Sequence, residues 1–228
     1  MLDKKTLQKL GSWEGYRLER AVWPEAPGGT LELHLKPSGK WMRCERCGHK
    51  SQQVHETVVR RVRDLPIFEH RVVLVVPRRR LWCEHCDGPQ LEKLSWLGRY
   101  QRVTDRLAEA CSQLLRGTSV QTVAGFYGLG WHTVKAIDKA RLKASVAEPD
   151  LASIHYLAMD EFALHKGHRY ATVVIEPIRR QVLCHGPGRS PQTARAVFEQ
   201  LPAGACERLR AGAIGRATAA ERVMRGHC

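Results

Sequence analysis

The sequence predicts a multidomain α+β chain. It has a β-rich N-terminal module stapled by four cysteines, a central helical module of helix-turn-helix form, and a third module of strands followed by a helix. Three observations carry this. Cys44-Glu45-Arg46-Cys47 and Cys83-Glu84-His85-Cys86 are CxxC pairs separated by a stretch of strand-like pattern. The apolar period changes to helical spacing at Val103, and it returns to strand spacing at Ile154. These changes divide the chain into an N-terminal β segment (1–39), a four-cysteine ribbon (40–90), a helix-turn-helix domain (91–148), a domain of strands followed by a helix (149–204) and a tail (205–228).

In residues 13–36, Leu31, Leu33 and Leu35 alternate with Glu32, His34 and Lys36, the period of a half-buried strand. The Pro27-Gly28-Gly29 cluster marks the turn before it. Val54 to Val62 and His70 to Val76 are rich in β-branched residues and read as strands flanking a break at Asp64-Leu65-Pro66. Leu107, Ala110, Cys111, Leu114 and Leu115 then recur at helical spacing, with Thr104 as N-cap and Gly117 as the stop. Ser119 or Thr118 caps a short second helix through Phe126. Gly128-Leu129-Gly130 turns the chain, and Trp131 to Lys143 forms a third helix whose Val134, Ile137 and Leu142 face a core. After a linker at 147–150, strands are predicted over Ile154 to Phe162, Tyr170 to Ile175 and Gln181 to Cys184. A helix over Pro191 to Leu201 follows, capped by Ser190. Residues 205–228 are rich in Ala, Gly and Arg and lose the period expected of a fourth strand, which suggests a frameshift or truncation near Gly204.

The 228 residues hold 37 Lys+Arg against 23 Asp+Glu, a formal charge of +14. Such a balance attracts polyanions, of which nucleic acid is the commonest. The ribbon is especially basic, with Arg43, Arg46, Lys50, Arg60, Arg61, Arg63, Arg71 and Arg78 to Arg80. No run approaches the roughly 18 apolar residues of a membrane span, and Met1 to Gly11 is too polar for a signal peptide. A cytoplasmic chain is therefore expected. Its reducing surroundings favour metal over disulfides for the paired cysteines. Cys111, Cys184, Cys206 and Cys228 read as core or incidental thiols.

Each CxxC turn presents two thiolates, so Cys44, Cys47, Cys83 and Cys86 can close a tetrahedral zinc site. Four filled positions leave none open, which makes the zinc structural. His49, His55 and His85 are near enough to substitute, but four thiolates already complete the tetrahedron. A dithiol redox module is the rival reading.

In the helical module, Ala124 lies four residues before Gly128, and Val134 and Ile137 follow six and nine after it. A helix-turn-helix needs that small residue at the crossing, a glycine able to turn left-handed, and those inner apolar contacts. The outward side of the last helix offers Trp131, His132, Thr133, Lys135, Asp138 and Lys139. Its N-terminal residues would approach base edges, while Lys135, Lys139, Arg141 and Lys143 contact phosphates.

Asp160, in Tyr156-Leu157-Ala158-Met159-Asp160-Glu161-Phe162, is an acid on an apolar strand. The order of a four-cysteine ribbon, a helix-turn-helix and then Met-Asp-Glu-Phe-Ala, with Lys166-Gly167-His168-Arg169-Tyr170-Ala171-Thr172-Val173-Val174 and Gly188-Arg189-Ser190, resembles bacterial insertion-sequence transposases of the ISL-three family over residues 40–204. The resemblance implies that the third module is the first part of an RNase H-like α/β fold, with Asp160 as the first carboxylate of an Asp-Asp-Glu catalytic core. In intact enzymes that core uses Mg²⁺. The resemblance also implies that ribbon and helix-turn-helix recognise terminal inverted repeats. The implied partners are double-stranded DNA at transposon ends, and a second copy in a homo-oligomer or an intact transposase; no membrane is implied.

The family's core needs a later Asp and a Glu, and this chain has no Asp after Asp160. One carboxylate cannot hold two divalent ions about 4 Å apart, so Mg²⁺ is not expected to bind productively. Two functions follow: a transposase-derived DNA-binding protein without strand transfer, or a non-enzymatic regulator or inhibitor of transposition.

Overall fold

The computed structural model describes residues 2–146, 151–165, 169–199, 204 and 206–214. The chain forms two compact units, Met1–Ser145 and Val146–Cys228.

The first unit opens with helix α1 (Lys4–Gly11), which the polar composition of that segment had concealed. Asp3 caps it by accepting from the Thr6 amide at 2.8 Å. Leu7 is buried, and Gly11 leaves room for the Trp13 ring, whose atoms would stand 2.3 Å from any Cβ there. Strands β1 (Tyr16–Val22) and β2 (Thr30–Pro37) follow as an antiparallel pair. The short β3 (Met42–Arg43) and β4 (Lys50–Ser51) pair with each other. The long hairpin β5 (Val54–Ile67) and β6 (His70–Cys83) dominates the sheet, with β7 (Gly88–Leu91) added to the far end of β6.

The sheet order is β1-β2-β6-β5, and β2 runs parallel to β6. The strands of residues 13–36 therefore do not stand apart from the ribbon but share its sheet. Leu31, Leu33 and Leu35 point from β2 into a core with Trp13, Tyr16, Leu18, Val62, Val72, Leu74, Val76 and Leu97.

One expected feature is corrected. Asp64-Leu65-Pro66 does not break the strand: β5 runs to Ile67, and the turn falls at Phe68, with φ +53°. Asp64 stays in the strand because its buried carboxylate has partners there. It accepts from Thr104 Oγ1 at 2.6 Å, Arg106 Nε at 2.7 Å and Trp13 Nε1 at 3.3 Å.

Three helices complete this unit: α2 (Asp105–Leu114), α3 (Val120–Tyr127) and α4 (Trp131–Ser145). Thr104 caps α2 and Ser119 caps α3. Val103, Leu107, Cys111, Val123, Ala124 and Val134 form the core of this bundle, with Ile137 packed against it. Leu142, expected in that core, is instead 43% exposed, because it lies about 140° around α4 from Ile137, off the face that packs in the bundle.

In the second unit, β8 (Tyr156–His165), β9 (Arg169–Glu176), β10 (Gln181–Pro187) and β11 (Ala211–Ile214) form a sheet of order β10-β9-β8-β11. The first three are antiparallel neighbours, and β11 is parallel to β8. Helix α5 (Pro191–Phe198) packs on β9 and β10, with Ser190 accepting from the Thr193 amide at 3.1 Å. A fourth strand, not expected from residue 205 onward, thus forms at Ala211–Ile214 without the hydrophobic period. Its small, exposed residues carry no alternation to read, and it is held by backbone pairing with β8. The Gly167-His168 step between β8 and β9 and the linker expected at 147–150 lie outside the described residues.

Candidate metal centre and nucleic-acid interface

The two knuckles are built by backbone geometry. In the first, the Gly48 amide donates to Cys44 O at 2.9 Å with Gly48 at φ +76°, and the Cys44 amide donates to His49 O at 2.8 Å. In the second, a single turn over Glu84–Cys86 ends at Asp87, φ +48°. The end of β7 and the residues after it clasp the first knuckle: the Glu45 amide donates to Leu91 O at 3.0 Å and the Lys93 amide to Arg43 O at 2.8 Å.

The four cysteine Sγ atoms lie within 4.8 Å of one another. Cys44 and Cys86 are 3.9 Å apart, and Cys47 and Cys83 3.5 Å. Tetrahedral Zn–S bonds of about 2.3 Å place sulfurs roughly 3.8 Å apart, so the donor set and its spacing fit a zinc ion. Among the described residues the four cysteines alone make such a cluster. His49 and His85 stack on each other, ring centroids 4.1 Å apart, and His55 faces Trp82.

The thiols titrate unequally. Burial opposes the Cys44 thiolate, but the amides of Cys47 and Arg46 outweigh it and hold the thiol down at about 7. Cys86 is pushed up to about 12 by burial and by the neighbouring thiols, and burial also raises Cys83. Four thiolates this close repel one another unless a cation lies between them. Cys111 and Cys184 are core thiols, each raised by burial to about 11.

Not all the ribbon arginines are surface charge. Arg78 and Arg79 are buried. Arg79 pairs with buried Glu92, Nε to Oε2 at 3.0 Å, and donates to Gly39 O at 2.9 Å. The Tyr16 hydroxyl joins them, donating to Pro77 O at 2.8 Å, and it lies 3.1 Å from Glu92. Burial and then the Glu92 charge push the Tyr16 phenol up.

In the helix-turn-helix, Gly128 takes φ +58° and closes α3. On α4, His132, Lys135, Lys139 and Lys143 are exposed, and Trp131 is 39% exposed with Lys135 over its ring at 4.8 Å. Trp131 and His132 meet edge to face. Thr133 is half-buried. Arg141 differs from the lysines, since it pairs with Asp138 at 2.8 Å on the same helix. Composition gave no sign of one further contact. Arg63, from β5, donates to Tyr127 O at 2.8 Å and Gly128 O at 3.0 Å, satisfying the end of α3.

Asp160 is exposed on β8, its Oδ1 accepting from the Glu161 amide at 2.8 Å. It stands opposite Val173, which stands opposite His185, so the three share one face of the sheet. Glu161 and Glu176 belong to the opposite face, where Glu176 is buried.

A zinc-ribbon region, then a helix-turn-helix, then a sheet carrying an exposed acid on its first strand define a transposase architecture. Residues 40–86 match the zinc-finger of transposase IS204/IS1001/IS1096/IS1165, residues 92–142 the helix-turn-helix domain of transposase family ISL3, and residues 157–214 a transposase domain. The chain belongs to the ISL3 family of transposases, and its C-terminal sheet is the start of the family's RNase H-like domain. It is 68% identical over 227 residues to the transposase for insertion sequence element IS1001 of Bordetella parapertussis, covering all of this chain and 56% of that protein. It is 26% identical over 180 residues to the transposase for insertion sequence element IS1557 of Mycobacterium tuberculosis, covering 77% of this chain and 40% of the relative. The chain thus spans about half the length of these relatives. No solved structure matches it. Among the described residues no helix is long and apolar enough to cross a membrane.

Proposed function

We propose that this chain is a transposase-derived protein that recognises transposon ends, the terminal inverted repeats, and does not itself cut or join DNA. The observation that carries the reading is the exposed basic face of α4, presented beyond a turn of helix-turn-helix geometry. In this reading Trp131, His132 and Thr133 approach base edges, and Lys135, Lys139 and Lys143 contact phosphates. Arg141, held by Asp138, shapes the helix and reaches phosphate only by leaving that pair. Zinc at Cys44, Cys47, Cys83 and Cys86 fixes the ribbon.

Asp160 is the first acid of the catalytic core in this reading. A two-ion site needs further carboxylates facing it, and among the described strand residues of its unit no other acid shares its face. The residues therefore do not fit a two-Mg²⁺ centre, and no strand-transfer step is assigned to this chain. Footprinting on the element's terminal repeats tests recognition: protection of the repeats supports it, and equal binding to scrambled duplex refutes it. Incubation of the same DNA with Mg²⁺ or Mn²⁺ tests inactivity, which Asp160-dependent cleavage would overturn.

The lone acid also favours a second reading, a regulator or inhibitor that occupies transposon ends. It predicts that this chain lowers transposition when co-expressed with an intact transposase.

A further inference from the structure

Two arginines of the ribbon sheet converge on the helix-turn-helix turn. Arg63 stands opposite Val73 in the β5–β6 ladder, and Arg71 lies two residues before Val73, so the two share one face of the sheet. Arg63 is committed: it holds the last carbonyls of α3, and its Nε is buried without a partner. Arg71 is exposed, and its guanidinium lies against Gly128. A Cβ on Gly128 would stand 3.0 Å from Arg71 Cζ and Nε and 3.2 Å from Nη2. Gly128 thus serves twice, once for its left-handed φ and once for the space that lets this side chain lie against the turn.

Among the described residues, neither arginine has a carboxylate within ion-pair distance, whereas Arg61 of β5 pairs with Glu32 and Arg80 of β6 with Glu56. Burial and the adjacent Arg71 charge both act against the Arg63 cation. Two like charges thus lie together without a counter-ion beside Gly128, three residues before the start of α4.

We infer that Arg71 is a DNA phosphate contact which the ribbon sheet supplies to the helix-turn-helix, with Arg63 as the positioning residue that docks the turn beside it. The inference rests on the proposal that α4 enters DNA. It makes the interface composite, so that part of the phosphate grip on the recognition helix comes from the zinc-stapled sheet. Guanidinium suits the role because its fork can donate two hydrogen bonds to one phosphate.

The experiment uses the full chain and a mixed-sequence duplex, with affinity followed by fluorescence anisotropy across a salt series. Each phosphate neutralised contributes about −0.9 to the log–log slope. Arg71→Gln is expected to make the slope shallower by about that amount, to leave zinc content and melting unchanged, and to leave the ranking of duplex sequences unchanged. Arg71→Lys is expected to keep most of the slope. An unchanged slope in a folded Arg71→Gln variant overturns the inference, as does a changed ranking of sequences, which would mark a base-reading residue. Failure of the wild-type chain to bind duplex at all would instead sink the underlying DNA-binding proposal. If Arg71→Gln unfolds, Arg71→Met, which keeps the side-chain stem without its charge, decides: a slope shallower by about 0.9 with zinc content unchanged supports the contact, and an unchanged slope overturns it.

Discussion

Asp64 and Arg106 form an ion pair that ties the long hairpin of the sheet to the first turn of α2. Asp64 is fully buried, and its carboxylate gathers donors from two separate segments: Trp13, and Thr104 with Arg106 at the start of α2. Arg106 reaches further, donating to Leu10 O and Gly11 O at 2.9 Å each, the last carbonyls of α1. One acid thus joins N-terminal helix, sheet and helix-turn-helix. Asp64→Ala removes the partner of a buried network, and such losses cost about 3–5 kcal/mol. Urea denaturation should show a fall of that order. A change within about 0.5 kcal/mol, the range of ordinary surface substitutions, would mean that solvent replaces the carboxylate.

Zinc removal tests the ribbon. Met42, Leu81 and the cysteines themselves make up the small core around the site, too little apolar surface to hold two knuckles. Structural zinc contributes on the order of 10–16 kcal/mol. A strong chelator should therefore release one zinc per chain and lower the melting temperature sharply, and Cys47→Ser should do the same. Binding should release protons, because Cys83 and Cys86 hold theirs firmly in the metal-free protein. A purified chain containing no zinc, with melting indifferent to chelator, would support the dithiol alternative.

The residues of α4 should separate by function. Lys139→Ala and Lys143→Ala should weaken binding to all duplexes alike and make the salt slope shallower by about 0.9 each. Changes at His132 or Thr133 should alter sequence preference instead. Arg141→Ala should act mainly on stability, because its guanidinium is engaged with Asp138. If Arg141→Ala flattens the salt slope as much as Lys139→Ala, the Asp138 pair opens on DNA.

The four cysteines were legible because metal ligands impose a fixed spacing that few other uses share, and the turn at Gly128 was legible because left-handed backbone selects glycine. The shared sheet of β2 and β6 was not, since parallel pairing between distant segments leaves no local mark. The same limit applies to Arg63, Arg79 and Asp64. A charged residue on a strand reads as solvent-facing unless its partner, forty residues away for Asp64 and Thr104, is known. Pro66 read as a break because proline disfavours central strands, but β5 lies at the sheet edge, where its missing amide costs no ladder bond.

Arg79 and Glu92 offer a sharper test of what buried charge does here. Both are nearly inaccessible, and the bridge between Cys44 and Glu92 brings the pair beside the first knuckle. Glu92→Leu alone strands the Arg79 guanidinium, which keeps only the carbonyls of Gly39 and Trp41, and should cost about 3–5 kcal/mol. Arg79→Met alone should cost a similar amount by stranding Glu92 with the Tyr16 hydroxyl. The double variant should recover much of the loss, because an apolar pair of similar volume need not be desolvated as ions. A thermodynamic cycle measured with zinc bound would read this as a coupling well above the roughly 0.5 kcal/mol scatter of independent sites. Additive losses would mean that each charge is satisfied by backbone and Tyr16 alone, and that the pair contributes nothing to the seating of the knuckle.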